Sequence, residues 1–418
     1  MNNKSYLNLI KINSFILYIL PVSLVTGPFI PNLIITLISF ISIFLIIYNK
    51  QWKFFDNLFF KGFSVFSIYL IINSILNNNY ILNNISGYTY LRYSFFSIAI
   101  WHTLENNSNF FRNFTKFILL TVLLLFIDSI FQYFNGTNLL GIQKSSYNKI
   151  SSFFGRDVKL GAYLARIYLF FFLFFYLFLD KKLLNIIFLN FFNALFAIII
   201  LLTGERTSYL IFILNFLLIN FIIRESFINK TINFLIVALI SSIVFANIKD
   251  VKIRFIDHTF NQLTESNRNT SSYNFFSKGH EYHYKIAYKM FEDNKFFGQG
   301  PNSFRNLCSE EKFRLSANGD GCSTHPHNIY MQLLGETGLV GFLFIFTAFF
   351  YICCLLIRDL LKICKKNKNF ENRIFFYVPI VVYLFPFIPT GSFFNSWVNI
   401  IIYLPMGFLL NEIYKKNG

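Results

Sequence analysis

Apolar runs near 20 residues long recur along most of this chain, separated by short polar breaks, and each run is long enough to cross a bilayer as a helix. Twelve such segments can be drawn, at roughly 13–31, 32–49, 62–78, 88–104, 114–134, 160–180, 183–203, 207–223, 231–247, 329–357, 374–390 and 395–412. Backbone groups in lipid must bond internally, so the pattern predicts helices throughout. The first two segments are parted only by Gly27-Pro28 and Pro31, which predicts a tight hairpin. Lys4 and Lys11 precede the first segment and no small-residue cleavage site follows it. It therefore reads as a retained span, not a removed signal peptide.

One polar stretch breaks the rhythm. Residues 248–327 are about 80 positions with eleven Lys/Arg and nine Asp/Glu, nearly balanced. Polar connections of this length are usually functional or disordered, and this one is not of low complexity. Ile286, Met290 and Phe291 fall at helical spacing within Tyr282–Phe291,. The turn-rich Gly298-Gln-Gly-Pro-Asn-Ser-Phe-Arg305 follows,. The expectation is a small folded cap with short helices over one membrane face. The chain then divides into spans one to nine (1–247), the cap (248–327) and spans ten to twelve (328–418). No internal repeat is visible.

Charge fixes the expected orientation. With the N-terminus inside, the inner segments hold nineteen Lys/Arg and the short outer loops only Lys144, Lys149, Arg156, Lys159 and Arg206. That asymmetry is the positive-inside signal, and it places the cap outside. It also explains much of the +17 net charge, so the charge is no nucleic-acid footprint. The chain is 55% hydrophobic and 14% charged, against about 25% charged in soluble domains. Its 59 phenylalanines are discounted, because Phe, Ile, Asn and Lys together follow an AT-rich genome as readily as a function.

Candidate chemistry gathers at the outer edge. His325-Pro-His327-Asn328 stands just before the tenth span. Pro326 pushes His325 into extended backbone, and Asn328 suits a helix N-cap. His327 then sits at a helix N-terminus, where N–H groups and the dipole favour an anion. A neutral imidazole there accepts a proton from an attacking hydroxyl. Two loop histidines that merely bond locally are the ordinary alternative, but Asn328 next to them and Gln332 and Glu336 below favour a site. Arg206, in Thr203-Gly-Glu-Arg-Thr-Ser208, lies outside, where basic residues are scarce. A snorkelling arginine or a pair with Glu205 is the plainer reading, yet its planar fork suits a phosphate. Arg92, Arg156 with Lys159, and Arg166 are weaker candidates on that side, as are His280, His283 and Arg305 in the cap. Asp128 and Gln132, one turn apart, read as interhelical hydrogen-bond partners. There is no HExxH, Asp-x-Asp, Walker loop or dinucleotide fingerprint, so neither a metal nor a cofactor is expected.

These residues carry a resemblance. His327 followed by ten residues and Gly338, within His-x-His-Asn…Gln…Glu-Thr-Gly…Gly341, resembles the hallmark of the O-antigen ligase and polymerase superfamily. Gly-x-Arg-Thr-Ser around Arg206 resembles its second hallmark, and Met290-Phe…Gly298-x-Gly300-Pro…Phe304-Arg305 its cap-loop motif. Looser likenesses run through Gly27-Pro-Phe-x-Pro31, Arg92, and Asp128-x-x-x-Gln-Tyr-x-x-Gly136 with Gly141. Twelve spans with a large outer loop between the ninth and tenth match its architecture. The resemblance implies a GT-C-like, all-α polytopic fold and metal-independent glycan transfer from undecaprenyl diphosphate, with inversion at the anomeric carbon. The active site would face the periplasm at the bacterial inner membrane. A ligase uses the lipid A core as acceptor and a polymerase another lipid-linked repeat unit. The resemblance makes His327 the essential histidine and Arg206 the first essential arginine. A second arginine is expected at the start of the cap helix, where Lys278-Gly-His-Glu-Tyr282 offers His280 or Lys278 instead.

Ligase-like transfer is the first reading and the repeat-unit polymerase the second. A twelve-span transporter is remote, since it needs related halves and broken helices at mid-membrane, and the polar residues here gather at the edge. Cys308 and Cys322 lie in the outer loop, which in this orientation faces an oxidising compartment. Gly319 and Gly321 can turn the chain back between them, so a disulfide is expected there.

Overall fold

The structure is a computed structural model that describes residues 3–77, 81–145, 148–155, 157–178, 182–223, 225–264, 276–315, 321–364 and 371–415. Arg156 and Gly319 lie outside the described residues, as do Lys181, Arg224, Lys365, Lys366, Lys368 and Lys416 of the charge pattern. The described residues are helical, with only isolated bridges at Thr137–Gln143 and Ser145–Lys149. In chain order the helices are α1 (Asn3–Ser23), α2 (Phe29–Tyr48), α3 (Leu58–Leu76), α4 (Ile81–Tyr88), α5 (Arg92–Asn106), α6 (Phe110–Asn135), α7 (Leu160–Phe178), α8 (Lys182–Leu202), α9 (Arg206–Ile222), α10 (Phe227–Asn247), α11 (Lys249–Lys252), α12 (His258–Thr264), α13 (Lys278–Asp293), α14 (Phe304–Leu307), α15 (Ile329–Cys364), α16 (Glu371–Leu384) and α17 (Ser396–Tyr414).

Every apolar segment drawn from the sequence has its helix. Among the described residues nine are long and apolar enough to cross a membrane. The α9 and α16 helices are shorter apolar ones, and α5 has 15 residues. The all-α polytopic class is therefore borne out. A short turn, Leu24–Pro28, joins α1 to α2 where the hairpin was expected.

The chain folds as two compact units. The first holds residues 1–34, 103–260 and 372–382. Its centre is α7, which is buried along most of its length. Lipid gives no hydrophobic drive to helix association, so packing and polar contacts hold such bundles together. Tyr168 on α7 donates to Asn193 Oδ1 on α8 at 2.8 Å, and Asn193 donates to Asn233 Oδ1 on α10 at 3.0 Å. The Tyr168 ring packs on Phe196 and Phe212, each 5.2 Å away. Asp128 and Gln132 prove structural, though they do not bridge helices as expected. Asp128 accepts from Leu139 N and Ser152 Oγ, and Gln132 from Ser151 N and Ser152 N, so the pair shapes the loop after α6.

The second unit holds residues 35–102, 261–371 and 383–418. Tyr90 is at its aromatic core, against Phe393 at 5.2 Å, Tyr93 at 5.3 Å and Phe63 at 5.5 Å. The amphipathic helix expected in the cap is α13. It buries Ile286, Ala287 and Met290 with Phe304, Leu307, Cys308 and Phe313, while Phe291 is half-buried. The stretch 248–327, read as one cap, is shared: residues up to 260 belong to the first unit and the rest to the second.

Two features of the second unit depart from the expected spans. The tenth is not continuous, because α15 breaks at Gly338 (φ 61°, ψ −167°). That conformation is essentially confined to glycine. Residues 295–300 run into the gap and replace the lost helical bonds. Leu339 N donates to Lys295 O at 2.8 Å and Val340 N to Phe296 O at 3.4 Å. The two orphaned carbonyls, Gly335 O and Glu336 O, accept from Gln299 N at 3.1 Å and Gly300 N at 2.8 Å. Each unpaired group thus regains a partner, which is what allows irregular backbone at this depth. The eleventh segment also stops early. α16 ends at Leu384, and residues 385–395 form a loop in place of the expected helix to 390. Pro386, Pro389 and Gly391 explain that ending,.

Candidate active site

The residues before α15 are held in an unusual backbone. His327 has φ 58°, a left-handed conformation that costs a non-glycine residue about 1–3 kcal/mol and persists only where its surroundings enforce it. Thr390, in the loop after α16, supplies that enforcement. Its N–H donates to His327 O at 2.9 Å, and its own carbonyl accepts from His325 Nε2 at 3.3 Å.

Four imidazoles meet here. The His327 ring centroid lies 4.2 Å from His325, 5.3 Å from His283 and 5.5 Å from His280. Two of the four are fixed by carbonyls, which can only accept. His283 Nδ1 therefore carries the proton it gives to Gly321 O at 2.6 Å. His325 donates from Nε2, so its Nδ1 accepts from the Thr324 hydroxyl at 2.9 Å. His280 lies flat against Tyr284, at 6.2 Å and 17°. Among the described residues no hydrogen bond engages the ring nitrogens of His327, whose contacts are the three other rings.

Burial, with the neighbouring imidazoles adding to it, pushes the His327 pKa down to about 3. Burial also takes His325 down to about 4 against the opposing bond to Thr390, and Arg305, His283 and His280 add to the fall. His325 and His327 are therefore neutral at ordinary pH, so His327 presents a lone pair. Among the described residues no group of three His, Cys, Asp or Glu is placed to hold a metal ion.

Other expected ligands turn out to brace this arrangement. Asn328 caps α15, its Oδ1 accepting from Tyr330 N at 2.9 Å and Met331 N at 3.1 Å, while its amide donates to Pro386 O at 2.7 Å. Two of the free N–H groups expected to attract an anion are thereby taken. Glu336, 1% exposed, accepts from Asn302 N, Phe304 N and Gln332 Nε2, each at 2.9 Å. It secures the start of α14 and the turn that leads into it. Arg305 on α14 is exposed. A disulfide joins Cys308 to Cys322, with Cα atoms 5.1 Å apart. It ties the end of α14 to the strand of chain that leads into His325. Arg92, at the start of α5, stacks over the Tyr93 ring and donates to its hydroxyl at 2.8 Å.

Arg206 belongs to the first unit, where it opens α9. It donates to Thr259 Oγ1 at 2.9 Å. Glu205 beside it does not serve as a simple ion-pair partner. Its carboxylate accepts from Gly161 N at 2.9 Å, Ala162 N at 3.1 Å and Ser208 Oγ at 2.7 Å, and burial pushes its pKa up. Arg166 turns back to Ala162 O in its own helix.

Sequence reasoning missed Thr390 altogether and ranked His283 low. The prolines and glycine around Thr390 were a turn signal within a segment read as apolar. His283 lies three residues after His280, the spacing that puts two side chains on one helix face.

No curated protein matches the chain. Residues 191–346, a stretch that contains Arg206, the four histidines and the broken start of α15, match the family described as O-antigen ligase, and the resemblance of this chain to the O-antigen ligase superfamily is thereby borne out.

Proposed function

We propose that this protein transfers a glycan from undecaprenyl diphosphate to a sugar hydroxyl, with the lipid A core as acceptor, at the periplasmic face of the inner membrane. The observation that carries the reading is the His327 ring, neutral, unengaged and held in a strained backbone by Thr390. The acceptor hydroxyl donates its hydrogen bond to His327, and its oxygen attacks the anomeric carbon. The bond to the diphosphate oxygen breaks, and its electron pair leaves with the diphosphate. The hydroxyl becomes acidic only as the new bond forms, so its proton passes late to His327 and then to water. A base of low proton affinity suffices because diphosphate is a good leaving group and the main work is orientation. Arg206 holds the departing diphosphate through its planar fork.

The break at Gly338 does not support a transporter. Discontinuous helices there expose backbone to a ligand, whereas here residues 295–300 occupy the gap. Deletion of the gene, with lipopolysaccharide separated on a gel, tests the reading. Intact core without long chains, together with accumulating lipid-linked polymer, is the expected result. Core bearing a single repeat unit would point to a repeat-unit polymerase, and an unchanged ladder would remove the proposal.

A further inference from the structure

The rings around His327 differ in the hydrogen-bonding capacity left to them. His325 has both nitrogens in use, Nε2 with Thr390 O at 3.3 Å and Nδ1 with the Thr324 hydroxyl at 2.9 Å. His283 uses Nδ1, which gives its proton to Gly321 O at 2.6 Å. A neutral imidazole carries one N–H and one lone pair, so Nε2 of neutral His283 is left as an acceptor. Among the described residues no hydrogen bond reaches that nitrogen.

The local chain is built to hold this tautomer. Gly321 lies close against α13 with φ 87°, and a Cβ there would fall 2.6 Å from Tyr282 Cβ. Glycine alone permits that approach, which brings the Gly321 carbonyl onto His283. The next residue, Cys322, is bonded to Cys308, and Cys308 is buried with Ile286, Ala287 and Met290 of α13. The carbonyl that fixes the His283 proton is thus anchored to the same helix from both sides.

His327 has no such carbonyl, so its single N–H can sit on either nitrogen. The hydrogen bond made by one ring nitrogen decides where the lone pair of the other points. The His283 ring stands 5.3 Å from that of His327, tilted by 39°. Two imidazoles at this separation bring a nitrogen of each within hydrogen-bond reach when one ring turns. Catalytic hydrogen bonds are often open before substrate seats and tighten in the reacting complex.

We infer that His283 is the positioning residue for His327: its Nε2 accepts the N–H of one His327 nitrogen and turns the lone pair of the other toward the acceptor hydroxyl. The inference rests on the reading of His327 as the group that receives the hydroxyl proton. That proton passes to the His327 lone pair and leaves from the same nitrogen to water. The bond to His283 strengthens while His327 carries the charge, and His283 neither gains nor loses a proton.

Two substitutions separate this role from a structural one. His283→Gln places a carbonyl oxygen where Nε2 stands and keeps an acceptor for His327. His283→Asn keeps an amide at the Nδ1 position for Gly321 O and loses that acceptor. Transfer is measured in bilayers with an undecaprenyl-diphosphate-linked glycan and lipid A core, beside His327→Ala, and thermal unfolding checks that each variant is folded. His283→Asn should lose roughly tenfold in kcat, the worth of one hydrogen bond, with KM unchanged, and His283→Gln should keep most of the rate. Nitrogen-15 spectra of histidine-labelled protein, with and without lipid A core, read the tautomer itself, the His327 signals being those that His327→Ala removes. One His327 tautomer in the unsubstituted protein and in His283→Gln, and two in His283→Asn, is the expected result. A mixture in the unsubstituted protein under both conditions would overturn the inference without recourse to any variant. If His283→Asn transfers normally and His283→Gln does not, while His327→Ala is inactive, His283 only ties down Gly321; the inference fails and the role of His327 stands. If His327→Ala also transfers normally, both are wrong.

Discussion

Thr390 grips both histidines of the His-Pro-His motif through its backbone alone: its N–H reaches His327 O at 2.9 Å and its carbonyl receives His325 Nε2 at 3.3 Å. Its side chain takes no part. Thr390→Ala should therefore transfer glycan at near the normal rate, whereas Thr390→Pro, which lacks the N–H, should lose roughly tenfold or more, the worth of one buried hydrogen bond. Equal rates for the two variants in a membrane assay would show that this grip does not position His327.

Gly338 is the second structural hinge of the account. A Cβ there would fall 2.6 Å from Phe297 N, and the backbone conformation alone costs another residue about 1–3 kcal/mol. Gly338→Ala should lower the thermal stability of the purified protein and reduce transfer, because residues 295–300 also carry the chain into α14. An unchanged unfolding temperature would mean that the break is not fixed by these contacts.

Titration gives an independent check. With its pKa depressed to about 3, His327 stays neutral far below the ordinary histidine value of 6.5. The acid limb of the kcat/KM profile should lie near pH 3–4, and a limb near 6.5 would contradict the buried geometry. The sign for stability follows from the same shift. Protons bind the unfolded chain more tightly, so the contribution of these rings is present above pH 6.5 and is lost as pH falls from there toward the folded value.

The bond between Cys308 and Cys322 closes a loop for which chain entropy gives roughly 3 kcal/mol. Cys308→Ser should lower the unfolding temperature and loosen the approach to His325. Thiol labelling checks the bond directly. Cys353 and Cys354 are free and should label in detergent without reductant, while Cys308 and Cys322 should label only after reduction. Full labelling of Cys308 beforehand would show that the bond is absent.

The helices were legible because apolar runs of spanning length leave few alternatives, and α13 because Ile286 and Met290 recur at helical spacing. The His327 motif was legible for the same local reason: Pro326 and Asn328 mark a helix start. What escaped is tertiary. Gly338 looks harmless in an apolar run, and only residues 295–300, forty positions upstream, make it a break. The bracing of Glu336 was hidden because its donors come from Asn302 and Phe304. Thr390 alone offered a local clue, in Pro386, Pro389 and Gly391.

The central claim is that the open ring of His327 serves the transfer of a glycan from a lipid diphosphate. The most direct measurement compares the unsubstituted protein with His327→Ala, each purified and placed in bilayers with an undecaprenyl-diphosphate-linked glycan and lipid A core. Product is read as a mobility shift on a gel. The account predicts glycan-bearing core from the unsubstituted protein and none from His327→Ala, which inserts and accumulates to the same level. Equal product from both would contradict it.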